Sequence, residues 1–159
     1  MKRFLAFLLC TMLLLCSCSK DPYEDLIIDM DTLMYDIIAT QEFRDPMMVI
    51  SSDNEEYKEL FDDIIGTDYI RALMAFPEVG ISADMIIIVE ATDTTHSGRL
   101  DLMTQYMLDR QEAYKGYAPE EAERFDDVRF STYGKYTIML LVPDIKTADT
   151  FVFNALNME

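Results

Sequence analysis

The run Met85-Ile86-Ile87-Ile88-Val89-Glu90-Ala91 constrains the fold more than any other part of the chain. Six of its seven residues are apolar and four are β-branched. β-Branched side chains lose rotamer freedom in a helix and fit a pleated surface. Continuous apolar character, without alternation, belongs to a strand buried deep in a sheet. The rest of the chain is therefore read as what surrounds this strand.

Upstream, Asp21-Pro22-Tyr23-Glu24 carries helix-start chemistry, with Asp as N-cap, Pro at the first helical position and Glu closing a capping box. Leu26, Ile27, Met30, Leu33, Met34, Ile37 and Ile38 recur at helical spacing, which predicts an amphipathic helix over about 22 to 40. Pro46 to Ser51 is a short extended candidate. Ser52 and Asp53, each three residues before a Glu, announce a second helix with the stripe Tyr57, Leu60, Phe61, Ile64 and Ile65, and Gly66 stops it. Tyr69 to Phe76 fits strand or helix, with strand favoured, and Pro77 to Gly80 is a turn.

Downstream of the central run, a long helix is expected over about 97 to 115. Leu100, Met103, Met107 and Tyr114 face inward on it, while Asp101, Gln105, Asp109 and Glu112 face outward. Gly116 ends it, and Pro119 opens a short polar turn of helix. Val128 to Tyr133, the two-residue loop Gly134-Lys135 and Tyr136 to Val142 form a hairpin suited to a type II′ turn. Pro143-Asp144 then starts a last helix with Ile145, Ala148, Phe151, Val152, Ala155 and Leu156 on one face.

This order predicts an α+β fold, a two-layer sandwich in which a small, mostly antiparallel sheet of about four strands is covered on one face by helices. A doubly wound parallel sheet fits less well, because strand and helix do not alternate regularly and no Gly-rich phosphate loop follows a strand.

The first residues are an address. Lys2 and Arg3 precede Phe4 to Cys16, thirteen residues broken in apolar character only by Thr11. A bilayer-spanning helix needs about 20 apolar residues, so this segment has the length and flank of a secretory signal. Leu15-Cys16-Ser17-Cys18 resembles the bacterial lipobox, with Leu three places before Cys18, a small residue directly before it and a polar start to the mature chain. Cys16 departs from the usual residue inside the box, and it is the poorer acceptor itself because bulky Leu15 precedes it. The expected layout is a lipoprotein signal peptide at 1–17, a short tether at 18–21 and a single α+β domain at 22–159, with a diacylglyceryl lipid on Cys18. An ordinary cleaved signal with Cys18 as a bystander is the alternative.

Removal of residues 1–17 takes away Lys2, Arg3, Cys10 and Cys16. The net charge of −17, from 13 Lys and Arg against 30 Asp and Glu, then becomes −19, and Cys18 is the one cysteine left, so no intrachain disulfide can form. Cations this diluted cannot assemble a counterion-releasing surface, which argues against a nucleic-acid partner. Attachment to the outer face of a bacterial cell membrane would come from the lipid and not from the protein surface, leaving an envelope protein or a small ligand as the partner class.

Gly80-Ile81-Ser82-Ala83-Asp84 running into the central strand, Tyr117-Ala118-Pro119-Glu120-Glu121 after the long helix, the strand-Gly-strand hairpin and the lipobox carry a further likeness. Together they resemble an uncharacterised family, of unknown domain function, of lipoproteins from Gram-positive, clostridia-like bacteria, over roughly residues 55 to 157 plus the leader. The resemblance implies a lipid-anchored extracytoplasmic domain and supplies no catalytic or binding residues.

Other chemistry is weaker in the sequence. His96 stands near Ser97, Asp93 and Asp101, but catalytic triads are assembled by tertiary structure and not from sequence neighbours, so an exposed loop histidine is the expectation. The pairs Asp29/Asp31, Glu55/Glu56, Asp62/Asp63, Glu120/Glu121 and Asp126/Asp127 supply carboxylates for an envelope-acting hydrolase, yet several lie at helix starts, where the dipole stabilises them, and helix neighbours do not face one another. Asp29-Met30-Asp31 lacks the later Gly and Glu of an EF-hand, so a calcium-stabilised domain has no loop motif behind it. Met30, Met34, Met103 and Met107 are expected in the core, and Met47-Met48 on an edge strand where a peptide could add. No catalytic, cofactor or metal residue is assigned from the sequence, and the favoured function is a membrane-proximal binding or interaction module.

Overall fold

A computed structural model describes residue 23 and residues 25–156. The expected signal peptide, Cys18, and the expected cap residues Asp21, Pro22 and Glu24 lie outside the described residues. Five helices and five strands follow in the order α1 (Met30–Thr40), β1 (Met47–Ser51), α2 (Glu55–Ile65), β2 (Tyr69–Pro77), β3 (Met85–Ala91), α3 (Ser97–Lys115), α4 (Pro119–Glu123), β4 (Arg129–Tyr133), β5 (Tyr136–Leu141) and α5 (Ile145–Leu156). A 3-10 turn, Arg124–Asp127, joins α4 to β4.

The sheet runs β1-β2-β3-β5-β4, with every neighbouring pair antiparallel. The α+β class and the antiparallel sheet are as expected. The short segment at Met47 joins as a full edge strand, so the sheet has five strands and not four. Tyr69 to Pro77 is strand, which resolves the ambiguity there.

The layering differs from the expected single covered face. Met85, Ile87 and Val89 pack beneath α2 and α3 with Phe61, Ile64, Met103 and Met107, whereas Ile86 and Ile88 pack on the opposite side with Leu33, Met34, Ile37, Ala148 and Val152. Helices cover both faces, with α1 and α5 forming the second layer. The cause lies in β3 itself: a strand apolar at consecutive positions has two faces to bury. Each fully buried Ile of β3 contributes about 1.5–3 kcal/mol.

Helix α1 starts eight residues later than the 22–40 reading. Asp29 is its N-cap, accepting the Thr32 N–H at 3.0 Å and the Thr32 hydroxyl at 2.8 Å. Before it, Leu26 N–H closes a turn on the Tyr23 carbonyl, Ile27 is exposed, and Ile28 N–H donates to the Tyr136 phenol instead of into a helix. Asn54, and not Ser52 or Asp53, caps α2 by accepting Glu56 N–H. Gly66, at φ 77°, ends that helix at a positive φ that glycine tolerates.

Gln41, just past α1, and Asp144, which caps α5, exchange two hydrogen bonds of 3.1 and 2.8 Å that lock the ends of the second layer together. Met30, Met34, Met103 and Met107 are buried as expected. Met47 and Met48 are half-buried on opposite faces of the edge strand. At the hairpin, Gly134 has φ 52° while Lys135 has negative φ, the pattern of the expected type II′ turn.

Candidate functional site

Two polar clusters lie at opposite ends of β3. The first grows from the connections that lead into and out of the sheet, residues 66–68 between α2 and β2 and residues 92–96 between β3 and α3. Arg99, in the first turn of α3, turns inward over the end of the sheet and is 6% exposed. Its Nη1 donates to the Thr137 hydroxyl at 3.0 Å and its Nη2 to the Asp68 carbonyl at 3.1 Å. Its Nε has no hydrogen-bond partner, and no carboxylate among the described residues pairs with it.

Burial pushes the Arg99 pKa below its ordinary value, with Asp93 and Asp68 opposing from a distance. A guanidinium nonetheless keeps its proton, so a positive charge sits in the wall. The wall encloses a cleft of about 250 Å³, completed by Ile65, Thr67, Asp93, Thr95 and Leu102. Above Gly98 it is open: a Cβ built there meets nothing within 4 Å.

His96 is half-buried, not the exposed loop residue expected. Its Nδ1 lies 3.0 Å from the same Thr137 hydroxyl. Arg99 donates to that oxygen, so His96 Nδ1 either takes the hydroxyl hydrogen or donates to the second lone pair, according to its tautomer. The other residues near it in sequence do not gather round it. Asp93 accepts Thr95 N–H at 2.8 Å, and no hydrogen bond joins His96 to Asp93, Ser97 or Asp101 among the described residues.

The second cluster sits where the chain enters β3. Asp84 is 2% exposed and bonds both Arg124 and the Ser82 hydroxyl at short range. Arg124 Nη1 reaches Glu121 at 2.9 Å, Glu121 also accepts Ala83 N–H at 2.8 Å, and Arg44 closes on its other oxygen at 3.4 Å. The Tyr114 phenol donates to the Ser82 carbonyl at 2.9 Å.

Burial alone would lower the Arg124 pKa, but Asp84 and Glu121 raise it above the usual value. Burial would likewise raise that of Glu121, and the Ala83 amide with Arg124 and Arg44 brings it below the usual carboxylate range. Two anions thus meet two cations, which makes the cluster a brace. The motifs Gly80 to Asp84 and Tyr117 to Glu121, separate in sequence, meet here.

The remaining carboxylate pairs diverge as helix geometry requires. Asp62 binds Lys58 and the Tyr69 phenol while Asp63 is exposed, and Asp31 binds Arg71 while Asp29 caps α1. Glu55 and Glu56 occupy the first turn of α2, and Asp126 accepts from Gln111. Among the described residues, no group of three or more His, Cys, Asp or Glu is placed to hold a metal ion, and no helix is long and apolar enough to cross a membrane.

Sequence reasoning missed Arg99. A lone arginine on a helix gives no signal of burial, although its place in the first turn, where a cation opposes the dipole, was a local inconsistency.

A family model described as a domain of unknown function (DUF4358) matches residues 44–142. The chain belongs to that family. No curated protein and no solved structure matches it. The DUF4358 span opens at Arg44 of the brace and contains all five strands, α2, α3 and the Arg99 cleft. Helices α1 and α5 both fall outside it, so the layer on one face of the sheet is built by the flanks of the DUF4358 region.

Proposed function

We propose that this chain is a lipid-anchored extracytoplasmic binding module whose ligand site lies at the membrane-proximal end of its sheet. The observation that carries the reading is Leu15-Cys16-Ser17-Cys18 behind a short basic and apolar leader. A lipid on Cys18 would hold the domain close. Tyr23 packs edge-on against Tyr133 with ring centroids 5.4 Å apart, at the tip of the β4–β5 hairpin. Five residues of chain from Cys18 to Tyr23 reach at most about 18 Å.

The hairpin tip, the end of β3 and the start of α3 share one end of the sheet. Glu90 pairs in register with Tyr136, and Lys135 reaches Glu90 at 2.5 Å. Thr137, beneath Arg99, is the next residue along β5. The cleft is therefore on the side a lipidated Cys18 would bring to the membrane, and the ionic brace is on the far side. The carboxylate pairs of the hydrolase alternative are engaged separately or exposed singly, and no observation favours that reading.

The test is Cys18→Ser in the full chain expressed in a bacterium that processes lipoproteins. Wild-type protein is expected in the membrane fraction and the variant in the soluble extracytoplasmic fraction. A variant that stays in the membrane fraction as fully as wild type would overturn the anchor.

A further inference from the structure

We infer that the Arg99 cleft binds a small zwitterion carrying a carboxylate, the chemical class of a free amino acid. Among the described residues Arg99 has no carboxylate in contact with it, and Asp68 and Asp93 act on its charge only from the cleft rim. Burying a cation without a contacting anion is costly, and proteins ordinarily pair such groups. Arg124, which is half-buried, has Asp84 and Glu121 against it; Arg99 is more buried and has only a hydroxyl and a carbonyl. Its Nε, itself shielded from solvent, is left without a partner, and the side chain lines a cleft.

The helix that carries Arg99 adds to the positive potential. No side chain caps α3, and its first turn holds no acidic residue, whereas α1, α2 and α4 all have acidic residues there. The positive end of a 19-residue helix and a buried guanidinium therefore face the same space. Gly98 leaves the approach to that helix end open. A carboxylate seated there would face the Arg99 guanidinium and the positive end of the helix.

The rim selects the rest of the ligand. Asp68 and Asp93 line the cleft and are exposed. Two carboxylates at the mouth repel a dianion such as phosphate and attract an ammonium group placed beside the ligand's own carboxylate. A bare cation is opposed by Arg99. The volume of about 250 Å³ is below the range of drug-sized pockets, which limits the ligand to a few heavy atoms.

This assignment rests on the binding-module reading but is tested apart from the anchor. The full chain, ¹⁵N-labelled in detergent micelles, is titrated with L-alanine, acetate and inorganic phosphate while the Gly98 amide and the Arg99 Nε–H are followed by NMR. L-Alanine is expected to shift both resonances saturably with a Kd of about 1 mM or tighter, and acetate and phosphate to bind at least about tenfold more weakly. Asp68→Asn with Asp93→Asn, both surface changes, should weaken alanine and strengthen acetate. Arg99→Met should abolish the alanine response in a chain whose other resonances remain dispersed.

No saturable shift with L-alanine in the wild-type chain, or acetate or phosphate binding as tightly as alanine, would overturn the assignment. Should Arg99→Met fail to fold, the aspartate variant and the wild-type series decide it. Loss of alanine binding leaves membrane fractionation untouched, and release of Cys18→Ser leaves alanine binding untouched, so the two readings fail separately.

Discussion

The Tyr136 phenol oxygen accepts the backbone N–H of Ile28 at 3.1 Å, a buried hydrogen bond that spans 108 residues of sequence. It fastens the segment ahead of α1 to the strand under the Arg99 cleft, and it takes Ile28 N–H out of the continuous helix expected from residue 22. Tyr136→Phe keeps the ring and removes the acceptor, leaving Ile28 N–H unsatisfied. The expected loss is about 1–3 kcal/mol in denaturant midpoint stability, together with faster hydrogen exchange of the Ile28 amide. Unchanged exchange would show that the bond does not hold the segment.

Gly134 offers a second handle on the same end of the molecule. Its φ of 52° suits glycine, and a Cβ there would collide with the Tyr23 carbonyl oxygen. Gly134→Ala is expected to cost about 1–3 kcal/mol and to remove the Tyr23 to Tyr133 ring contact in NOE spectra. Gly98→Ala is the control for stability: with open space around it, the change should be neutral or stabilise the chain by up to about 1 kcal/mol.

The brace should behave as a buried ion pair. Arg124→Leu strands Asp84, which is 2% exposed, and is expected to cost about 3 kcal/mol, near the low end for such pairs because the Arg124 side chain is 28% exposed. Adding Asp84→Leu should recover part of that loss, giving a coupling in a double-mutant cycle of about 1 kcal/mol or more. Simple additivity would mean that the two groups contribute independently.

Acid should loosen the same brace. Glu121 has a folded-state pKa below its unfolded value, so its contribution is fully present above the unfolded pKa and is lost as pH falls through the folded one. The capping carboxylates Asp29 and Asp144 are lowered too, mainly by hydrogen bonds from Thr32 and Thr147 respectively. Melting temperature is therefore expected to fall between about pH 5 and pH 3, and to fall less steeply in Glu121→Gln than in wild type. Parallel curves would mean that Glu121 takes no part in the acid response.

Much of this architecture is legible in the residues. β-Branched density located β3, helical spacing with Gly116 bounded α3, and Gly134 marked the hairpin turn. The failures share a cause: they depend on partners distant in sequence. Asp21-Pro22-Glu24 carries start signals for a helix, but Tyr136 claims Ile28 N–H, and the helix is capped at Asp29. The second covered face was implied by consecutive apolar residues in β3, yet local periodicity does not say which helices arrive to cover it. Arg99 resembles any surface arginine until Thr137 and the Asp68 carbonyl draw it inward.

Under the proposed function, a lipid on Cys18 would hold this DUF4358 chain at a membrane. The decisive measurement is the intact mass of the mature protein, purified from a lipoprotein-processing bacterium. The expected result is a chain that begins at Cys18 and carries the added mass of a diacylglyceryl group on that residue. A mature N-terminus at any other residue, or an unmodified Cys18 thiol, would contradict the anchor.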